Sequence, residues 1–213
     1  SPARGGGDTT KCPEIRPFAG ARSRLFLGWN NPARDRPLVP RVDERHVEDM
    51  SKRMPTLFIP HGGGPCFFMD WTMGPANTWE RMRAWLEALP STLPEKPKAI
   101  LVISGHWETR IPTLLGAPRP ALYFDYYGFP KHTYELTWPA PGAPALATRV
   151  RELLTKANIE SATDDERGYD HGVFVPLKVA FPEAEIPTLQ LSLKEELDPA
   201  EHIAIGRALA PLR

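Results

Sequence analysis

Three histidines stand in contexts that suit chemistry: His61 in PHGGGP, His106 in ISGHWE and His171 in GYDHGVFVPL. Neutral imidazole is a good ligand for zinc or ferrous iron, and one ion can gather side chains that are far apart in a chain. His61 follows the apolar run TLFIP and His106 follows AILVIS, which places both at the carboxyl ends of expected strands. Open α/β sheets collect their ligand groups there. A single histidine at a strand end is commonly structural; two on neighbouring strand ends, each beside glycine, keep a metal site and a structural role both open. His171 differs. Asp170 before it could orient the ring as an acid, a base or a substrate hydrogen-bond partner, or could simply cap a helix starting there. His132 reads as a rim residue in an aromatic loop, His46 as an exposed side chain, and His202 as exposed or packed.

Other uses of these residues fail on their neighbours. Glycines after a histidine can precede an esterase oxyanion hole, but the chain holds no G-x-S-x-G elbow to supply a nucleophile. The same glycines are not followed by Lys-Ser or Lys-Thr, so they do not make a phosphate-binding loop.

The elements that must position the histidines are short. TLFIP, AILVIS and IPTLQLSL are β-rich runs of the kind that form buried parallel strands. Between them lie helices. Asn77 and Glu80 are spaced as a capping box before a helix that turns Met82, Trp85, Leu86 and Leu89 to one face and runs to Pro90. APALATRVRELLTKA directs Leu146, Val150, Leu153 and Leu154 inward, VFVPLKVAF follows His171 as a helix, and Asp198, Pro199 and Glu201 open the last one. Strands alternating with helices predict an α/β domain: a largely parallel central sheet with flanking helices. From Leu122 to Pro144 a long loop rich in tyrosine, phenylalanine and tryptophan suits a lid over a flat ring.

The totals narrow the field. A chain of 213 residues buries one sizeable core, here expected over residues 54–213, with residues 1–53 a disordered or low-complexity tail. Lys and Arg number 26, as do Asp and Glu, which removes a global electrostatic case for nucleic acid or an anionic membrane. Two cysteines in unrelated contexts make neither a disulfide framework nor a zinc module, and favour a reducing compartment. No apolar run approaches the roughly 18 residues of a membrane span.

Taken in order, PHGGGP, ISGHWE, DYYGFP with WPAPG, and GYDHGVFVPL closely resemble the motifs of LigB-type (class III) extradiol ring-cleavage dioxygenases, in the 4,5-DOPA extradiol dioxygenase branch. The resemblance runs from about Met54 to Arg213. It implies a LigB-like α/β fold and a mononuclear metal, Fe(II) or Zn(II). Carried over by motif, His61 and His106 resemble the metal ligands and His171 the histidine beside the substrate, the catalytic candidate of this chain; Gly63, Tyr127 and His132 are the expected substrate-binding residues. The implied reaction opens a catechol such as DOPA with dioxygen; the partners are small molecules, with no nucleic acid and no membrane, in the cytoplasm. Family members carry another strand and further histidines beyond the point matching GRALAPLR. By that measure the domain is incomplete at its C-terminus, so this chain is expected to hold metal weakly, turn over slowly and expose an apolar sheet edge. Two other classes stay open: a zinc-dependent hydrolase on a related scaffold, and a non-catalytic relative that binds an aromatic ligand.

Overall fold

The computed structural model describes residues 53–213, all within one compact unit, Asp43–Arg213. The expected tail and His46 lie outside the described residues. Four strands and four α-helices form here: α1 (Glu80–Thr92), β1 (Ile100–Thr109), β2 (Thr113–Leu115), α2 (Pro144–Lys156), β3 (Ala162–Asp164), α3 (His171–Ala180), β4 (Thr188–Lys194) and α4 (Pro199–Leu209). The class is α/β, as the alternation of patterns predicts. The strands lie in the order β1-β4-β2-β3. β1 with β4 and β2 with β3 are parallel, and β2 meets β4 antiparallel through Leu114 and Leu191.

Side chains alternate across this sheet, so β1 and β2 each feed two cores. Leu189 and Leu191 of β4 and Leu114 of β2 face Val150, Leu153 and Leu154 of α2 and Ile205 and Leu209 of α4. Ile100, Val102 and Leu115 join the opposite cluster with Leu86 of α1 and Val173, Phe174 and Leu177 of α3. Each fully buried leucine or valine contributes about 1.5–3 kcal/mol relative to exposure. β4 is buried on both faces along most of its length, yet its residues alternate: Leu189 and Leu191 face one core while buried Thr188, Gln190 and Ser192 lie on the other face.

Several elements differ from expectation. TLFIP is not a strand: no strand among the described residues lies beside it, and Phe58 is 96 % exposed. His61 therefore sits on an irregular segment. Helix α1 starts at Glu80 without a side-chain cap, because Pro75 closes a preceding turn in which its carbonyl accepts from the Thr78 N–H (3.0 Å) and the Thr78 hydroxyl (2.6 Å). It also runs through Pro90 to Thr92, and Trp85 is exposed. By contrast Asp198 caps α4 as expected, accepting from the Glu201 N–H at 2.9 Å. The aromatic loop is not a lid. Tyr126 and Trp138 are buried, with Phe124, Phe129 and Tyr134 packed on the same core. Its ends are pinned by backbone bonds, Tyr123 N–H to Tyr169 O at 2.7 Å and Thr188 N–H to Pro141 O at 2.9 Å. Aromatic density in a sequence shows that a segment can bury area, not which way it faces.

Candidate metal centre

His106 is carried by a break in the sheet. Between the pairs Ile103↔Leu191 and Glu108↔Leu193, the stretch Ser104 to Trp107 of β1 faces only Ser192 of β4. Bulges of this kind re-aim side chains beside functional sites. The Ser104 hydroxyl holds the bulge in shape, accepting from the His106 N–H at 3.2 Å and donating to Asp170 at 2.7 Å.

His61 arrives on a turn in which Gly62 and Gly64 have φ of +76° and +55°, a conformation that costs other residues strain. Their missing side chains make no open room. A Cβ at Gly63 would lie 3.3 Å from the Trp71 ring, and one at Gly64 2.7 Å from Phe129. The aromatic rings fill that space.

His171 opens α3. Its neighbour Asp170 occupies the N-cap position but its side chain does not cap; it is fully buried and accepts from Ser104, Gln190 and Arg167. The carboxylate that meets the His171 ring comes from the aromatic segment instead. Asp125 Oδ1 accepts from His171 Nδ1 at 2.7 Å and from the His171 backbone N–H at 2.9 Å. Gly172 completes the fit. A Cβ there would stand 2.7 Å from both His106 Cδ2 and Ser104 Oγ, so only glycine lets β1 approach the first turn of α3 this closely.

These devices bring the three imidazoles together. One ring nitrogen from each of His61, His106 and His171 lies within 4.8 Å of the others, and the Nε2 atoms of His61 and His106 are 2.9 Å apart. Bonds of about 2 Å from nitrogen to zinc put two ligands of one ion no more than about 4 Å apart. His61 and His106 already satisfy that limit. Their protonation state fits as well, since a ligand must offer a lone pair. Burial, and then the charges of His171 and His106, push His61 down to about 4; burial and then His171 lower His106. Burial pushes the Asp125 carboxyl up, but hydrogen bonds from the His171 ring and backbone outweigh it and hold the group below its ordinary range. The donor set is therefore neutral imidazole backed by a carboxylate, which suits zinc or iron.

The expected rim is looser. Tyr127 is 91 % exposed, and His132 is exposed with its Nε2 3.0 Å from the Phe68 carbonyl. Asp125 escaped the sequence reading altogether. The one signal was an acid among aromatics in YFDYYGF, where a carboxylate needs a donor to be tolerated.

A pH dependence follows from the lowered imidazoles. The unfolded chain takes up protons near 6.5, below which folded His61 and His106 resist protonation; their contribution is full above that pH and is lost as pH falls, in the case of His61 toward about 4. Asp125 acts in a lower window, because its folded pKa lies below the ordinary 3.8. Thermal melts of metal-free protein should show Tm falling between pH 6.5 and about 4, with a shallower fall in His61→Asn. Equal slopes would show that His61 is not held neutral by the fold.

Comparison with known proteins meets this geometry from the other side. Residues 55–213 match the family described as the catalytic LigB subunit of aromatic ring-opening dioxygenase. The 4,5-DOPA dioxygenase extradiol of Portulaca grandiflora is 46 % identical over 159 residues, covering 74 % of this chain and 56 % of that protein. The proteins of the same name from Beta vulgaris and Escherichia coli K12 are 42 % and 41 % identical, covering 74 % and 76 % of this chain and 57 % and 56 % of their own lengths. Among solved structures, an uncharacterized protein of Escherichia coli K12 is similar at 39 % identity and a TM-score of 0.49, over 62 % of this chain and 47 % of that one. The chain spans about half the length of the curated relatives it matches. Because the family match takes in all three converging histidines and nearly every described residue, the chain belongs to the LigB family of aromatic ring-opening dioxygenases.

Proposed function

We propose that this chain carries the metal-binding part of an extradiol dioxygenase that opens a catechol such as DOPA, with dioxygen as co-substrate and Fe(II) as the working metal. The observation that carries the reading is the convergence of His61, His106 and His171 within 4.8 Å. His61 and His106, whose Nε2 atoms stand 2.9 Å apart, would hold the ion. His171, whose Nδ1 is engaged by Asp125, turns its remaining nitrogen to the substrate and accepts a catechol proton there. Ferrous iron, when bound, supplies the one-electron chemistry that a spin-paired ring needs to react with dioxygen. Tyr126 packs 5.6 Å from the His171 ring and limits its swing. Of the rim residues, Tyr127 offers an exposed ring for stacking on the catechol, His132 lines the edge, and Gly63 shapes the turn behind His61. Free, buried Cys66 suits a reducing compartment, which we take to be the cytoplasm.

The test is oxygen uptake. The chain, or a longer protein that carries it, is loaded anaerobically with ferrous iron, mixed with DOPA and followed at an oxygen electrode beside metal analysis. Iron-dependent uptake with a new semialdehyde absorbance is expected. Hydrolysis of an ester or amide without uptake would replace this reading with a zinc hydrolase, and aromatic-ligand binding with neither metal nor uptake would replace it with a non-catalytic relative.

A further inference from the structure

We infer that Asp125 is a positioning residue for the histidine cluster: it fixes His171 as the Nδ1–H tautomer and so keeps its Nε2 lone pair available to the site. The inference rests on the dioxygenase reading only for what the lone pair does, not for the tautomer itself.

The geometry leaves the carboxylate little choice. Asp125 Oδ1 receives both the ring Nδ1 (2.7 Å) and the backbone N–H (2.9 Å) of His171, so ring and helix start are held by one atom. An ionised carboxylate accepts only, which means the ring nitrogen beside it must carry the hydrogen. Nε2 is then bare. The second oxygen of the same carboxylate lies 3.9 Å from His106 Nδ1, too long for a direct hydrogen bond but on the same side of that ring. Both imidazoles thus turn their Nδ1 edges to Asp125, and His106 turns its Nε2 to His61. His61 has no such support; its Nδ1 is buried without a hydrogen-bond partner.

Asp125 is itself well anchored. Tyr123 N–H bonds Tyr169 O at 2.7 Å, Asp125 N–H bonds Tyr123 O at 3.0 Å, and the flanking Phe124 and Tyr126 rings pack against Phe174 of α3. The aromatic segment thereby acquires a role that its sequence disguises: its rings clamp a carboxylate behind the site. In the proton transfer proposed above, a catechol hydroxyl gives its proton to Nε2 and becomes a phenolate, while Nδ1–H stays on Asp125. The resulting imidazolium then faces a carboxylate 2.7 Å away.

Metal-free protein labelled with ¹⁵N-histidine tests the tautomer directly, with the His171 signals assigned by their loss in His171→Gln. The expected spectrum shows His171 protonated at Nδ1 only. Asp125→Ala removes the acceptor and should populate both tautomers, whereas Asp125→Asn can keep an oxygen toward both donors and should preserve the Nδ1–H form. An Nε2–H ring in the unsubstituted protein, or an unchanged spectrum in Asp125→Ala, overturns the inference. Should Asp125→Ala not fold, the unsubstituted protein and Asp125→Asn still decide it. In the iron-loaded enzyme, Asp125→Ala should lower kcat about 100-fold with little change in KM, and Asp125→Asn about 10-fold. If the tautomer is as stated but no preparation consumes oxygen, the dioxygenase reading fails while the positioning role of Asp125 stands.

Discussion

His106→Ala is expected to lower metal affinity at least about 100-fold without unfolding the protein. The side chain is 33 % exposed and projects from a bulge rather than from the packed core, so its removal forfeits little buried apolar area. What it removes is one of the two Nε2 donors that stand 2.9 Å apart. Replacing even groups that only support a ligand typically lowers metal affinity 10–100-fold, so deleting a ligand should cost at least about 100-fold. A ligand bound only by the native state adds about 2.7 kcal/mol at 100 times its Kd. For a domain of this size that is a rise of roughly 5–11 °C in Tm. The expected result is that Fe(II) or Zn(II) raises Tm in the unsubstituted protein and leaves His106→Ala and His61→Ala where they were. His132→Ala should behave as unsubstituted, since that ring is tied to the Phe68 carbonyl outside the cluster. Stoichiometric metal retained by either ligand variant would remove the assignment.

The histidines were legible because chemistry constrains residue type and the glycine contexts constrain backbone, both of which a linear sequence displays. Helices α2 and α4 were legible for a similar reason: Val150, Leu153 and Leu154 repeat at helical spacing, and Asp198 caps the residues just after it. Pairing across the chain was not. TLFIP has strand composition but no described strand to join, and β2 and β3, of three residues each, are too short to leave a pattern. The two carboxylates show the same limit in the site. Asp170 adjoins His171 in sequence yet turns into the protein toward Ser104 and Gln190, while the acid that reaches the ring lies 46 positions away. Adjacency along a helix start points successive side chains in different directions, so neighbours in sequence are poor candidates for partners in a site.

That inward turn makes Asp170→Ala a strongly destabilising change. The carboxylate is fully buried between sheet and helix, taking Ser104 Oγ from β1 at 2.7 Å, the Gln190 amide from β4, and Arg167 Nη2 at 3.3 Å. Arg167 is itself only 17 % exposed and stacks between Trp107 and Tyr123, with its carbon 4.7 and 4.9 Å from their centroids. Alanine would leave a largely buried guanidinium without its counter-charge and two buried donors without an acceptor. Removing one partner of a buried pair costs about 3–5 kcal/mol, a large part of the roughly 5–15 kcal/mol that holds a domain together. Urea titration should show a lower midpoint at unchanged slope. The loss should shrink in Arg167→Met/Asp170→Ala, where no charge is stranded, and that non-additivity separates the ion pair from simple packing. The effect reaches the metal centre, because Ser104, freed from Asp170, no longer fixes the bulge that aims His106; the folded fraction should bind metal more weakly than the unsubstituted protein. A change below about 1 kcal/mol, within the range of ordinary surface substitutions and mild core changes, would mean that this carboxylate does not bind the sheet to α3.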